Sequence, residues 1–398
     1  LRRLQPQKGI ETSMGLDWLI IGGGIHGVHI AARLLGESGV TSERLRIVDP
    51  GERLLERWRV CTETVGMIRL RSPSVHHLDL SSGSLNQFAT KWRRRKRAPV
   101  AGSYARPSLE LFNAHCDAVV ETFSLSDRHI RARATSGAVD HAGVEVELSS
   151  GHRIAARNIV LAIGAGEQPY WPNWAPQSHS RVHHVFEQGF DGWPSSRETV
   201  AVVGGGISAV QVALRLLREG HQVRLVSRHA LREHRFDSES GWLGPKYMRG
   251  FRRERDFDRR RALVNEARYT GSVPPGVRLA LCRAVDRNQI GWHEGEVEAL
   301  EAHGDGLALR LATAEELLAD RVLLATGFSA VRPGGQLVDT LIDSAALPCA
   351  RCGYPIVDSA LRWHPRVRVS GPLADLELGP VARNIAGARR AGDRLVAA

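Results

Sequence analysis

Gly22, Gly24 and Gly27 stand at the spacing G-x-G-x-x-G, directly after the apolar run from Trp18 to Ile21. Glycines so spaced suit a tight strand-to-helix turn, a backbone that a pyrophosphate can approach, and close packing of helix on strand. The pyrophosphate then rests on the positive end of the following helix. Asp49 lies 22 residues after Gly27, at the tip of the next apolar run, where a carboxylate accepts hydrogen bonds from a ribose diol. His26, inside the turn, is a further candidate contact.

The device recurs 182 positions later. Gly204, Gly206 and Ala209 form the G-x-G-x-x-A variant, with Ser208 at the helix start. Its second strand ends in Ser227-Arg228 and not in an acid. A carboxylate there repels a ribose 2′-phosphate, whereas serine and arginine can hold one. Two sites imply two nucleotides with separate jobs: FAD at the first, and NADPH in preference to NADH at the second.

These turns need strands and helices to present them. Trp18 to Ile21 reads as a buried parallel strand, Val28 to Leu35 as a helix, and Leu45 to Pro50 as the next strand. Gly51 to Pro107 reads as irregular. Ser108 caps a helix to Phe123, and Gly143 to Gly164 alternates and ends in a buried strand. The proline- and tryptophan-rich "EQPYWPNWAPQ" reads as a linker. Strand, glycine turn, helix and strand then repeat from about Thr199, and Arg232 to Gly276 is polar and basic. Arg321 to Phe328 closes the second unit, and a final helix starts near Gly379. The fold class is α/β, with two Rossmann-like dinucleotide-binding domains. The expected FAD domain is discontinuous (14–168 and 325–398), the NADPH domain (169–324) is inserted into it, and 1–13 is an extension.

Composition agrees with a globular chain: 398 residues, 42% hydrophobic and 24% charged. No run of eighteen apolar residues exists, which predicts no membrane-spanning helix. Five cysteines, an odd and sparse set, suggest a reducing compartment, with cytoplasm as the default. The net charge of +11 sits in two runs, 91–97 with +6 and 246–261 with +5. Such runs read either as solvated faces or as phosphate-binding patches. Neither lies in a recognisable nucleic-acid-binding motif, so small-molecule chemistry is the first reading and a nucleic-acid-binding regulator the last. Self-association into a homo-oligomer is left open.

With these residues in view, the chain resembles the two-dinucleotide-binding flavoproteins. Within them it is similar to the class B flavin-dependent monooxygenases of the bacterial lysine and ornithine N-hydroxylase kind. The motifs are GGGIHG (22–27), LAIGAGEQP (161–169), GGGISA (204–209), ATGF (325–328) and GPVARNI (379–385). The resemblance implies cofactor contacts at Gly164, Thr326, Gly327 and Gly371. It implies more at Asp375 or Glu377 near the ribityl chain, and at Gly379, Arg383 and Asn384 where the last helix aims at the flavin. The segment from Trp58 to Asp79 resembles the loop along the isoalloxazine, with Arg69 as a cofactor contact and Met67, Arg71, Ser72 and His76 as catalytic candidates.

The implied activity uses NADPH, FAD and O₂ to form a flavin C4a-(hydro)peroxide that hydroxylates a small nucleophilic substrate, an amine among the candidates. The F-x-G-x-x-x-H fingerprint of flavin monooxygenases is not intact: the corresponding linker keeps His179, His183 and His184 without the matching Phe and Gly. A flavin dehydrogenase or oxidase without oxygen insertion remains an alternative. A disulfide reductase needs a cysteine pair near the flavin, and Cys349 and Cys352 come late for that role. No metal-ligand pattern is visible.

Overall fold

A computed structural model describes residues 15–96 and 106–397, with the side chains of 93–96 left out. The 1–13 extension, Met14, and most of the 91–97 basic run's side chains lie outside the described residues.

Two parallel sheets organise the chain. The first has six strands, in the order Arg362–His364, Val367–Val369, Asn158–Leu161, Trp18–Ile21, Leu45–Asp49 and His129–Arg131. All its pairings are parallel except the edge pair Arg362–His364 with Val367–Val369. The second runs Ile290–Glu294, Gln222–Ser227, Thr199–Val203, Arg321–Leu324 and Val182–His184, parallel throughout. Central strands buried on both faces need unbroken apolar runs, and Leu19, Ile20, Val200, Ala201 and Val202 are fully buried.

The two units share a plan. Each glycine-turn strand is flanked by the strand that follows its helix and by one returning from a three-stranded antiparallel meander. The meanders are Ala134–Val139, Val144–Leu148, Arg153–Ala156 and Val297–His303, Gly306–Leu311, Glu316–Ala319. After the second sheet closes, helix Gly335–Ala345 packs back on the first meander. Thr340 Oγ1 and Ser344 Oγ accept from the backbone N–H groups of Gly137 and Val139, at 2.9 and 3.1 Å.

Several elements differ from expectation. The first helix spans Ile25–Glu37, beginning directly after its N-cap Gly24. The stretch 51–107 holds helices Glu56–Thr64 and Ser84–Lys96. The basic stretch after Arg232 holds Pro245–Arg253 and Phe257–Ala267. In the former of these, Met248 and Phe251, three apart on one face, are buried while the basic residues cover the rest. Two apolar anchors within so much charge leave little periodicity to read. The last helix is Ile385–Val396; a short 3₁₀ turn, Gly379–Arg383, precedes it, and Asn384 caps it by accepting the Gly387 N–H at 2.9 Å. Among the described residues, no helix is long and apolar enough to cross a membrane.

Candidate functional site: one cleft between two glycine turns

Both glycine turns are held by the same contact. Gly22 has φ +108°, and a Cβ there would lie 2.5 Å from the Ala162 carbonyl oxygen. Gly204 has φ +155°, and its Cβ would lie 2.4 Å from that of Ala325. In each unit the residue just past the returning strand presses its carbonyl against the turn, and only glycine accommodates both the approach and the dihedral. The chain then passes between the units twice. These connections run side by side, with Tyr170 N–H donating to Gly327 O at 2.9 Å and Ser329 N–H to Gln168 O at 2.8 Å. The "LAIGAGEQP" and "ATGF" motifs are thus neighbours at the crossover.

A cleft of about 1330 Å³ opens there. Of the residues singled out in the sequence, His26, Arg71, Gly164, Gly371 and Arg383 line it from the first unit's side. Gly204, Gly206, Ser208 and Arg228 line it from the second, and Thr326 and Gly327 from the crossover. Phe186 and Phe328, stacked at 4.9 Å between centroids, add an aromatic wall.

The open helix ends fit pyrophosphates. Gly24 and Gly206 are the N-caps of Ile25–Glu37 and Ile207–Arg218, and neither has a side-chain cap. A Cβ on Gly24 would meet nothing within 4 Å, so space is open beside this uncapped helix start, which suits an anion, while Gly22, Gly24, Gly27 and Asp49 are not among the residues lining the cleft itself. Gly27 and Ala209 sit one turn into these helices, and Ala209 is buried behind the cleft. The Asp49 carboxylate accepts the N–H groups of Gly23 at 2.7 Å and Gly51 at 2.8 Å, which fixes it at the strand tip beside the turn.

At the second strand tip, Arg228 has no hydrogen-bond or ion-pair partner among the described residues and is free for a phosphate. Ser227 is not. It is 2% exposed, its hydroxyl donates to the His229 carbonyl at 3.0 Å and accepts the Trp292 indole N–H at 2.9 Å. The paired reading of Ser227-Arg228 is corrected to Arg228 alone, because the strand's alternation turns Ser227 inward.

His26 is buried, and its Nδ1 lies 2.7 Å from Ser370 Oγ. Burial pulls its pKa down to about 4, so the ring is neutral at pH 7. Asp375 does not face the cleft. It is fully buried, and its Oδ2 accepts from Arg261 Nη1 at 2.8 Å and from Arg383 Nε and Nη2 at 2.9 and 2.6 Å. Both arginines also donate to Tyr354 Oη at 3.1 Å. Asp375 is therefore a counter-ion behind the wall, and its placement near a ribityl chain is corrected. Gly379 sits against Met248 and Trp242. Asn384, besides capping, faces Asp237 at 3.5 Å.

The Trp58–Asp79 candidates scatter. Arg71 reaches the cleft wall and ties the units together, donating to His234 O at 2.8 Å and Ser272 Oγ at 2.9 Å. Met67 packs between the cores and lines a separate depression. Arg69 donates to Arg106 O at 3.2 Å. Neither these two nor Ser72 and His76 line the cleft among the described residues. Cys349 and Cys352 lie on a hairpin leading to Tyr354, off the cleft. Asp237, Arg261 and Arg268, which do line it, carried no motif; all three fell within the polar, basic stretch 232–276, and Arg261 within the second basic run as well.

The end of that run is spent on structure, while Lys246, Arg249, Arg252, Arg253, Arg255 and Arg259 are exposed. Arg260 donates to Leu376 O at 3.0 Å and pairs with Glu377 at 3.6 Å, while Arg261 holds Asp375.

The doubled glycine turns, the parallel sheets and the shared cleft define a two-dinucleotide-binding oxidoreductase fold. Residues 19–257 match the pyridine nucleotide-disulphide oxidoreductase family, more than half of the chain, and the chain belongs to that family. Among solved structures it is similar to the ornithine N-hydroxylase of Kutzneria sp. 744 (TM-score 0.76, 17% identity, 96% of this chain and 98% of that one). It is also similar to the cadaverine monooxygenase of Erwinia amylovora (0.73, 15%, 96% and 94%). The L-lysine 6-monooxygenase of Pseudomonas syringae is a third (0.71, 16%, 96% and 98%). At these identities the likeness shows a common fold. No curated protein sequence matches the chain.

Proposed function

We propose that this chain is an FAD-dependent, NADPH-consuming monooxygenase that hydroxylates a small nucleophilic substrate, an amine. The observation that carries the reading is the single cleft lined from both glycine-turn units. The Kutzneria relative, described with reduced FAD, NADP⁺ and L-ornithine, supports it. We also propose the division into an FAD domain (14–168 with 325–398) and an inserted NADPH domain (169–324), and a cytoplasmic location, for which the five free cysteines speak.

Bound FAD, reduced by NADPH, supplies the oxygen-activating chemistry. The chain's own residues bind and shield. The uncapped helix starts at Gly24 and Gly206 take the pyrophosphates, Asp49 takes a ribose diol, and Arg228 takes the 2′-phosphate. His26, neutral and tied to Ser370, presents an uncharged edge to the flavin side. Phe186 and Phe328 give the crossover an apolar wall.

The test is stoichiometric. The purified yellow protein is given NADPH, O₂ and candidate amines, and hydroxylated product and hydrogen peroxide are counted against NADPH. Product matching NADPH is expected. Peroxide alone, with every amine, would leave the flavin oxidase as the function.

A further inference from the structure

The cleft wall is rich in guanidinium groups, and among the described residues Arg268 alone has neither a partner in the protein nor a place beside the second glycine turn. Arg71 is satisfied by the His234 and Phe236 carbonyls and by Ser272. Arg261 and Arg383 share Asp375 and Tyr354. Arg228 and Arg232 follow the strand tip beside the second glycine turn, where a nucleotide phosphate belongs.

Arg268 differs. It follows directly on helix Phe257–Ala267 and lines the cleft. Its guanidinium makes no hydrogen bond or ion pair among the described residues, and its Nη1 is sealed from solvent without a partner. The carboxylates whose fields reach it are Asp375 and Asp237, while Arg383 and Arg261 repel it. Asp375 is already shared by Arg261 and Arg383, and the field of Asp237 also reaches Arg71, so the positive charge of Arg268 is unmet. Burial, together with Arg383, pulls the Arg268 pKa below the usual arginine value. A half-buried cation without a partner is costly, and an incoming anion removes that cost.

We propose that Arg268 receives a carboxylate of the substrate, so that the cleft takes an amino acid or another carboxylate-bearing amine in preference to a simple diamine. This rests on the monooxygenase reading above. The common fold leaves the choice open, since one relative is an L-lysine 6-monooxygenase and another a cadaverine monooxygenase. Cadaverine is lysine without its carboxylate. A planar fork meets a carboxylate through two parallel N–H···O bonds, which an ammonium-only ligand cannot return.

The test is calorimetric titration of the FAD-loaded, NADP⁺-bound protein with L-lysine, L-ornithine and 5-aminopentanoate against cadaverine and putrescine. The wild type is expected to bind the carboxylate-bearing ligands on the order of ten- to a hundredfold more tightly than the diamines. Arg268→Met should erase the preference, and Arg268→Lys should restore part of it, with FAD content and melting temperature checked for each variant. Equal binding of both classes, or binding of neither, overturns the proposal. So does an Arg268→Met protein that keeps the preference but loses NADP⁺ affinity, which assigns the arginine to a cofactor phosphate. Product and peroxide are counted in parallel. A carboxylate preference accompanied by peroxide alone overturns the monooxygenase reading and leaves the Arg268 assignment standing.

Discussion

Arg261, on helix Phe257–Ala267, donates at 2.8 Å to Asp375, a fully buried carboxylate in the segment leading to the last helix. The bond joins a helix that follows the second glycine turn to the carboxyl-terminal part of the chain. It lies behind the cleft wall that Arg261 lines. Arg383 meets the same oxygen from the other side, so a single acid neutralises two cleft-lining arginines.

Asp375→Asn therefore leaves two half-buried guanidiniums without their counter-ion. Removing one partner of a buried pair costs about 3–5 kcal/mol. Urea unfolding of the purified variant checks this, and a loss under 1 kcal/mol would mean the arginines find solvent instead.

Acid should weaken the fold through histidines. Burial pulls His26, His77, His115 and His184 down to about 4 and His29 to about 3. In the unfolded chain each titrates near 6.5. Between those values the unfolded state binds more protons, so stability is fully present above about pH 6.5 and falls as pH drops toward 4. Each contributes a loss of roughly 1 kcal/mol between pH 6.5 and 5.5. Urea midpoints at pH 7.5 and 5.5 measure it; coincident midpoints would show that these rings are solvated.

The two glycine turns should fail differently. Gly204→Ala forces a Cβ to 2.4 Å from the Ala325 carbonyl at φ +155°. Strain of about 1–3 kcal/mol, placed in one turn, should raise the NADPH KM about tenfold or more with FAD retained. Gly22→Ala should instead lower the FAD content of the isolated protein. Absorbance at the flavin band and NADPH kinetics separate the two.

Arg228→Ala should raise the NADPH KM on the order of ten- to a hundredfold while NADH turnover changes little, since only NADPH carries the 2′-phosphate. Steady-state kinetics with both nucleotides checks it. Equal effects on the two would remove Arg228 from the phosphate site.

Local sequence sufficed for whatever is local in physics. The two glycine turns, the apolar strands before them and Asp49 at a strand tip follow from dihedral limits, periodicity and short-range spacing. So the α/β class and the doubled unit were legible from residue types alone. The pressure of Ala162 and Ala325 on those turns was not, because each follows a strand more than a hundred residues away. Tertiary structure alone turned Ser227 inward, drew Asp375 behind the cleft wall, and took Arg260 and Arg261 out of a basic run and into ion pairs. It also left Arg268 at the cleft without a partner. Whether a charge is solvated, paired or unmet depends on which distant groups surround it, and linear spacing holds no record of that.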